Sequence, residues 1–281
     1  MKSDLILKRF FSKSMLQHLL EHQHDHLFIT AIHKYIKNPD GMTYDQLFNQ
    51  IYSYIAHSYR TEYYYKNSLF NKILLKNHNP RTTVAFSEFP IARSKADFVM
   101  INGIGSVYEI KTELDNLDRL ETQIHDYYKA FSHVNVLTYE KNIEKVEKIV
   151  PLSTGIMILT QRGALHSIRK AIDNRDYFDL ETIFKILHKD EFEAILLRLG
   201  KSLPDCDPFT YYKTCYTLFS QIDVQAAQRE MLRELKSRIS MEKRDSIVKV
   251  PNSLRFLVYT DKIGERCLPQ LNQLLTRVYG G

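Results

Sequence analysis

The stretch SVYEIKTEL, residues 106–114, contains the charged pair that decides how the sheet must fold. Alternate residues of a β-strand point to the same face, so Glu109 and Lys111 share one face while Tyr108 and Ile110 share the other. Placing opposite charges in an otherwise apolar strand costs desolvation free energy that a partner must offset. That partner can be a structural ion pair, a solvated sheet edge or a bound metal ion.

The composition limits the classes of protein to consider. The chain has 281 residues, 44% hydrophobic and 26% charged, as in ordinary globular proteins. Its formal net charge of +6 is compatible with a phosphate-rich partner. Cys206, Cys215 and Cys267 form no CxxC pair, so neither a zinc ribbon nor a disulfide framework is indicated. No apolar run approaches the roughly 18 residues of a membrane span, and we expect a cytoplasmic protein with no membrane partner.

The hydrophobic period divides the chain into three predicted regions. Residues 1–57 follow a helical period, and residues 161–281 are predicted to be helical throughout. The central region, 58–160, begins with a helix, and its later elements are predicted strands at 82–89, 96–101, 106–111, 133–139 and 155–161, with helices at 115–131 and 140–150. This order predicts the α/β class, with a mixed sheet flanked by N- and C-terminal helical extensions.

Carboxylates on two neighbouring predicted strands indicate a metal site. Asp97 lies near the start of the second strand, beside the basic Arg93 and Lys95. Together with Glu109 on the third strand it offers hard oxygen ligands, which Mg²⁺ and Mn²⁺ prefer. A metal ion there can hold a phosphate oxygen and lower the pKa of a bound water. Lys111 can orient that water or counter the charge that develops on the phosphate.

The hairpin between the second and third strands sets a geometric condition on this site. Directly opposed residues of an antiparallel pair point to the same face. A two-residue turn at Asn102 and Gly103 would oppose Asp97 to Tyr108 and put the two carboxylates on opposite faces. A loop of three residues, 102–104, opposes Asp97 to Glu109 instead. The metal site therefore requires an odd loop or a bulge, which the glycines in this segment permit.

The combination of motifs resembles the PD-(D/E)XK nuclease superfamily. Asp97 and the run Glu109-Ile110-Lys111 match its signature, with Ala96 where the name expects proline. QIHDY, residues 123–127, follows on the next helix and is similar to the QxxxY motif of RecB-type members. The resemblance covers roughly residues 43–138, and the wider pattern is similar to a family of uncharacterised bacterial proteins within the superfamily.

The resemblance implies a restriction-endonuclease-like core that hydrolyses phosphodiester bonds, with DNA as the expected substrate and Mg²⁺ or Mn²⁺ as cofactor. Defence against foreign DNA and DNA processing are both compatible roles. The implied catalytic residues are Asp97, Glu109, Lys111, Gln123 and Tyr127. The implied metal ligands are Glu62, Asp97, Glu109 and the carbonyl of Ile110. The residues expected to contact nucleic acid are Arg93, Lys95 and Arg119.

Several alternatives remain open at the level of sequence. Glu62 forms an i,i+4 pair with Lys66 on a predicted helix, so Glu88 is an alternative acidic ligand. Glu109 and Lys111 alone are compatible with a structural ion pair. For the whole chain, the alternatives to an active nuclease are a non-catalytic module that binds nucleic acid or protein and a nuclease subunit activated by a partner. A protein partner or a homo-oligomer is compatible with each of them.

Overall fold

The computed structural model describes residues 4–76, 78–260 and 268–280. The chain divides into two compact units. Unit 1 comprises residues 1–82, 159–165 and 240–281, and unit 2 comprises residues 83–158 and 166–239. The division differs from the three consecutive predicted regions, because residues 166–239 pack their apolar side chains into the same core as the sheet.

Unit 2 contains nearly all of a six-stranded mixed sheet in which the strands follow chain order. Its strands are β1 (Val84–Ile91), β2 (Ser94–Asn102), β3 (Ile104–Ile110), β4 (His133–Thr138), β5 (Gly155–Leu159) and β6 (Leu165–Arg169). β1, β2 and β3 pair antiparallel, whereas β4 runs parallel to both β3 and β5. The predicted α/β class with a mixed sheet is confirmed.

The turn between β2 and β3 fixes the register that the predicted site requires. Asn102 pairs with Ile104, which leaves Gly103 alone at the tip with φ +74°. Glycine adopts this left-handed conformation without the penalty that a Cβ brings. The ladder then runs down to its last pair, Phe98 opposite Tyr108, one residue before Asp97 and Glu109. The odd loop that the predicted site requires is therefore present.

Helices surround the sheet within unit 2 and supply the rest of its core. They are α6 (Leu120–Tyr128), α7 (Ile143–Ile149), α8 (Leu180–Ile186), α9 (Lys189–Arg198), α10 (Pro208–Phe219) and α11 (Val224–Ser237). A 3₁₀ turn at Glu140–Asn142 precedes α7. The buried side of α6 is a helical stripe that includes Leu120, Gln123, Ile124 and Tyr127. Two polar residues of this stripe therefore face inward.

Unit 1 is helical. Its helices are α1 (Leu5–Phe10), α2 (Lys13–His22), α3 (His26–Tyr35), α4 (Tyr44–Ser58), α5 (Glu62–Leu69), α12 (Met241–Ser246), α13 (Arg255–Thr260) and α14 (Leu268–Thr276). A π-helix at Phe70–Leu75 continues α5, and a 3₁₀ turn at Ile247–Lys249 follows α12. Phe10, Phe28 and Phe48 meet with ring centroids 5.3–5.7 Å apart and form an aromatic centre for this unit.

Two predicted elements need correction. Residues 161–281 are not helical throughout, because β6 lies among them. Its central residues are exposed, so it lacks the alternation of buried and exposed side chains by which a strand is recognised. The helix predicted over 115–131 begins only at Leu120, because the Asp115 carboxylate accepts hydrogen bonds from both the backbone N–H and the hydroxyl of Thr112. Asp115 therefore closes a turn and does not cap α6.

The structure describes two of the three cysteines and helices too short or too polar to span a membrane. Cys206 is exposed and Cys215 is buried, and both are free thiols, while Cys267 lies outside the described residues. Within the part of the chain that the structure describes, the helices are too short or too polar to cross a bilayer.

Gly105 lies where the sheet packs closely against core side chains. A Cβ at this position would lie 2.6 Å from Cδ1 of Phe131 and 2.8 Å from Cδ2 of Leu232. We expect Gly105→Ala to lower the free energy of unfolding by about 1–3 kcal/mol, because both neighbours are core residues with little room to move. Chemical denaturation measures the change. Gly103→Asn is the control, since asparagine tolerates the left-handed region, and a fully stable Gly105→Ala variant would contradict the packing described here.

Candidate active site

Glu109 is a carboxylate buried on the core face of β3. It is only 2% exposed, and Lys111 on the same strand is also buried. The Lys111 ammonium donates to Glu109 Oε1 over 2.8 Å and to Gln123 Oε1 over 2.9 Å. The Tyr127 hydroxyl donates to Glu109 Oε2 over 2.6 Å. Each oxygen of the buried carboxylate therefore has a donor, which is the compensation that its burial demands.

Helix α6 positions two of these donors and acceptors. Gln123 and Tyr127 stand one turn apart on its inward stripe, so both side chains reach the same strand. Burial and the negative charge of Glu109 raise the pKa of Tyr127, so its hydroxyl keeps its proton and remains a donor. The same hydroxyl lies 3.0 Å from the carbonyl oxygen of Lys95. The structure thus brings four of the five predicted catalytic residues into one hydrogen-bonded group.

Asp97, the fifth, lies where the regular ladder between β2 and β3 stops. Its Oδ2 accepts a hydrogen bond of 2.7 Å from the backbone N–H of Ile110. The last regular pair between the two strands is Phe98 with Tyr108. At this point a side-chain carboxylate therefore takes the place of a backbone acceptor. The donor to it, Ile110, is the residue that follows Glu109.

Glu88 meets Asp97 from β1. The pairing of β1 with β2 passes from Ser87–Phe98 to Phe89–Ala96, and Glu88 lies opposite Asp97 between those pairs. Glu88 has φ +52°, a left-handed conformation that costs a non-glycine residue of order 1–3 kcal/mol. Carboxylate oxygens of Glu88 and Asp97 lie within 4.8 Å of each other. The chain is thus distorted at the position where two acidic side chains come together.

The donor set fits a hard divalent cation. Two oxygen ligands on opposite sides of one Mg²⁺ are about 4.2 Å apart, and oxygens of Glu88 and Asp97 lie within 4.8 Å of each other. The Nζ atom of Lys95 on β2 lies 3.7 Å from Oε2 of Glu88, and both of these side chains are largely exposed. Ile110, whose N–H binds Asp97, offers its backbone carbonyl as a further oxygen, whereas both oxygens of Glu109 accept hydrogen bonds from Lys111 and Tyr127. The residues present are therefore suited to Mg²⁺ or Mn²⁺ by type and by position.

The remaining predicted residues lie as follows. Glu62 is in the first turn of α5 in unit 1, where its carboxylate pairs with Lys66 over 2.5 Å. Its role as a metal ligand stays a prediction. Arg93 and Lys95 are exposed at the end of the β1–β2 hairpin, and Arg119 is exposed immediately before α6. Their contacts with nucleic acid likewise stay predictions.

Asp126 is a site-forming residue that the sequence pattern did not identify. Its carboxylate is buried and accepts hydrogen bonds of 2.8 Å from both the Ser94 hydroxyl and the Lys129 ammonium. Burial raises the pKa of Asp126, but the bonds from Lys129 and Ser94 lower it by more, and the net shift is downward. Asp126 lies beside Tyr127 at the edge of the apolar stripe, and only the tertiary contact with Ser94 distinguishes it from a solvated acid.

Comparison with known proteins gives one match. A family model described as bacteriophage P4 protein cII matches residues 56–255. These residues include all six strands and α6, so every residue of the candidate site lies within the matched part. No curated protein and no solved structure matches the chain.

Asp126 should contribute a pH-dependent part of the stability. A carboxylate whose pKa is lowered in the folded state stabilises that state above its unfolded pKa of about 3.9, and the contribution is lost as the pH falls through the folded pKa. We expect the loss of stability between neutral pH and about pH 3 to be smaller in Asp126→Asn than in the unmodified protein. Denaturant titration at each pH measures it. Asp118→Asn, at an exposed position, is the control, and equal acid dependence in Asp126→Asn would contradict the assignment.

Proposed function

This chain belongs to the bacteriophage P4 protein cII family, and we propose that it is a divalent-metal-dependent nuclease acting on DNA. The observation that carries the proposal is the hydrogen bond from the Ile110 N–H, next to Glu109, to the Asp97 carboxylate, with Lys111 on Glu109 and the Glu88 carboxylate near Asp97. The motif resemblance to PD-(D/E)XK nucleases supports the same chemistry. Defence against foreign DNA and DNA processing are both roles that such an enzyme can serve.

The metal would be held by Asp97, Glu109 and the Ile110 carbonyl, with Glu88 as a further carboxylate. When bound, the cation would polarise a phosphate oxygen and supply a water of lowered pKa. The chain's own contribution is placement. The Ile110 N–H fixes the Asp97 carboxylate, and Tyr127 and Lys111 fix the two oxygens of Glu109. Gln123 holds the Lys111 ammonium on the side of the carboxylates.

Lys111 contributes a positive charge that need not move during the reaction. Its ammonium is already oriented by Glu109 and Gln123, so it can stabilise negative charge on the phosphate without reorganisation. A third donor direction remains on an ammonium group that makes these two bonds. That direction is the one available for the attacking water or for a phosphate oxygen.

A non-catalytic binding module is the second candidate, and one observation favours it. Both oxygens of Glu109 already accept hydrogen bonds from side chains, so the buried charge is compensated without any metal. A structural ion pair of this kind would explain Glu109 and Lys111 alone. It does not explain why Glu88 adopts a left-handed conformation beside Asp97. Cleavage assays separate the two functions.

The Glu109–Lys111 pair gives the first test of catalysis. Lys111→Met keeps most of the side-chain volume but leaves a buried carboxylate without its cation, so it should lose stability as well as cleavage. The double variant Glu109→Gln/Lys111→Met removes both charges of the pair and should regain stability. We expect cleavage to fall at least about 10²–10³-fold in Lys111→Met, the typical effect of one transition-state donor, and to remain lost in the double variant.

The measurement is cleavage of linear, nicked, circular and single-stranded DNA with Mg²⁺, Mn²⁺ or chelator, alongside denaturant unfolding. Lys148→Ala, at an exposed position on α7, is the control. Cleavage by the double variant at the unmodified rate, or cleavage that survives chelation, would contradict the proposal. Inactivity of the unmodified protein together with failure to bind Mn²⁺ would favour the binding module, whereas inactivity with tight Mn²⁺ binding would favour a nuclease activated by a partner.

Glu88 and Ala92 form a matched pair for testing the metal site. Both have φ +52°, so glycine relieves the same backbone strain at each position. Only Glu88 carries a carboxylate. We expect Glu88→Gly to be at least as stable as the unmodified protein yet to bind Mn²⁺ about ten-fold more weakly, a loss at the lower end of that expected for metal-site substitutions. Ala92→Gly should leave Mn²⁺ binding unchanged.

Calorimetric titration with Mn²⁺ measures both variants. Glu62→Gln in the same titration tests the sequence-based prediction for that residue. If Glu88→Gly binds Mn²⁺ as tightly as Ala92→Gly, Glu88 is not part of the metal site.

A further inference from the structure

The end of the β1–β2 hairpin is fixed to helix α6 by several hydrogen bonds. The Asp126 carboxylate accepts from the Ser94 hydroxyl over 2.8 Å and from the backbone N–H of Arg93. The Tyr127 hydroxyl lies 3.0 Å from the carbonyl oxygen of Lys95. Residues 93 and 94 of the hairpin end are thus held by Asp126, and the carbonyl of residue 95 lies against the next residue of α6, Tyr127. Because Asp126 is buried, this attachment is shielded from competing water.

The same two helix residues also hold the candidate active site. Tyr127 donates to Glu109 over 2.6 Å with the hydroxyl that faces Lys95. Asp126 is the preceding residue on the helix. The hairpin end and the Glu109–Lys111 pair are therefore linked through two consecutive residues of one helix and their hydrogen-bonded side chains, and not through a flexible loop.

Charge distinguishes the hairpin end from the loop that follows Lys111. Arg93 and Lys95 are exposed at the hairpin end, and among the described residues the Arg93 guanidinium forms no ion pair. The loop that follows Lys111 is acidic, and its exposed carboxylates are Glu113, Asp115 and Asp118. A phosphate backbone is attracted by the first surface and repelled by the second. Arg119 stands at the end of this acidic loop.

We propose, as a deepening of the nuclease function above, that the hairpin end at residues 93–95 receives the phosphate backbone of DNA. In the same arrangement Asp126 and Tyr127 act as positioning residues, since neither needs to touch DNA. They hold Arg93 and Lys95 at a fixed offset from Glu109 and Lys111. A phosphate bound at the hairpin end would thereby bring a phosphodiester further along the strand to the carboxylates. Fixed geometry of this kind raises the rate of a reaction by orientation.

The first experiment measures DNA binding alone. A labelled DNA of one sequence, offered as duplex and as single strand, is titrated with the full-length protein in chelator, so that cleavage plays no part. For the form that binds, we expect Arg93→Ala to weaken binding and to lower the slope of log K against log salt by about one, the signature of a lost phosphate contact. Lys95→Ala should act in the same direction. Arg229→Ala, the matched loss of an exposed arginine on α11, should change the slope little.

The second experiment separates positioning from charge. Asp126→Asn removes a negative charge, so simple electrostatics would make DNA binding tighter. We expect weaker binding instead, because the attachment of residues 93 and 94 is lost, and we expect Ser94→Ala to show a smaller loss in the same direction. Thermal unfolding of each variant, together with circular dichroism at the assay temperature, identifies any that fails to fold. Ser94→Ala replaces one hydroxyl and keeps the test available if Asp126→Asn unfolds.

The outcomes distinguish this inference from the nuclease proposal. Absence of DNA binding by the unmodified protein would contradict the proposal that the hairpin end binds DNA. Equal slopes for Arg93→Ala and Arg229→Ala, or tighter binding by a folded Asp126→Asn, would also overturn it even if the protein cleaves DNA. If the slopes change as expected but the protein shows no metal-dependent cleavage, the result would support DNA binding at the hairpin end and would count against the nuclease function.

Discussion

The buried carboxylate of Glu109 is the constraint on which the rest of the sheet face depends. An ionised carboxylate withdrawn from water costs several kcal/mol unless charged and polar partners surround it. Lys111 donates a hydrogen bond to Oε1 and Tyr127 donates one to Oε2, and Gln123 holds Lys111 in place. Helix α6 must therefore present Gln123 and Tyr127 inward, at the cost of two apolar positions in its stripe. The same requirement ties the helix to the strand in one register.

The backbone around Asp97 is irregular on both sides of β2. The ladder to β3 gives way to a bond between the Asp97 carboxylate and the Ile110 N–H, and on the other side Glu88 takes a left-handed conformation. A regular sheet would need neither feature. Strain of this kind is retained where the surrounding structure over-determines it, often at functional sites. The Glu88 and Asp97 carboxylates therefore come together at the same place where the backbone is distorted.

The sequence was sufficient for the parts of the site that follow from periodicity. The period of two placed Glu109 and Lys111 on one face, and the helical period placed Gln123 and Tyr127 one turn apart. The demand that Asp97 share the face of Glu109 predicted an odd hairpin loop, which Gly103 provides. These inferences succeed because each depends on residues close in sequence and on geometry that a single element fixes.

The features that were not predicted depend on contacts between distant segments. Asp126 reaches Ser94 across 32 positions of sequence, and nothing in its neighbourhood distinguishes it from an exposed acid. Strand β6 is exposed along its centre and carries no burial pattern. The late start of α6 follows from the turn that Asp115 makes with Thr112, a competition between side-chain and helical hydrogen bonds. Backbone distortion at Glu88 has no signal in residue type at all.

A crystal structure of the unmodified protein soaked with Mn²⁺ would test the central claim most directly, because manganese is located by its anomalous scattering. We expect one strong peak bounded by carboxylate oxygens of Asp97 and Glu109, with Mn–O distances of about 2.2 Å, and with Lys111 still beside Glu109. Absence of a peak at saturating Mn²⁺, with the Glu109 carboxylate bound only by Lys111 and Tyr127, would contradict the account and leave a structural ion pair.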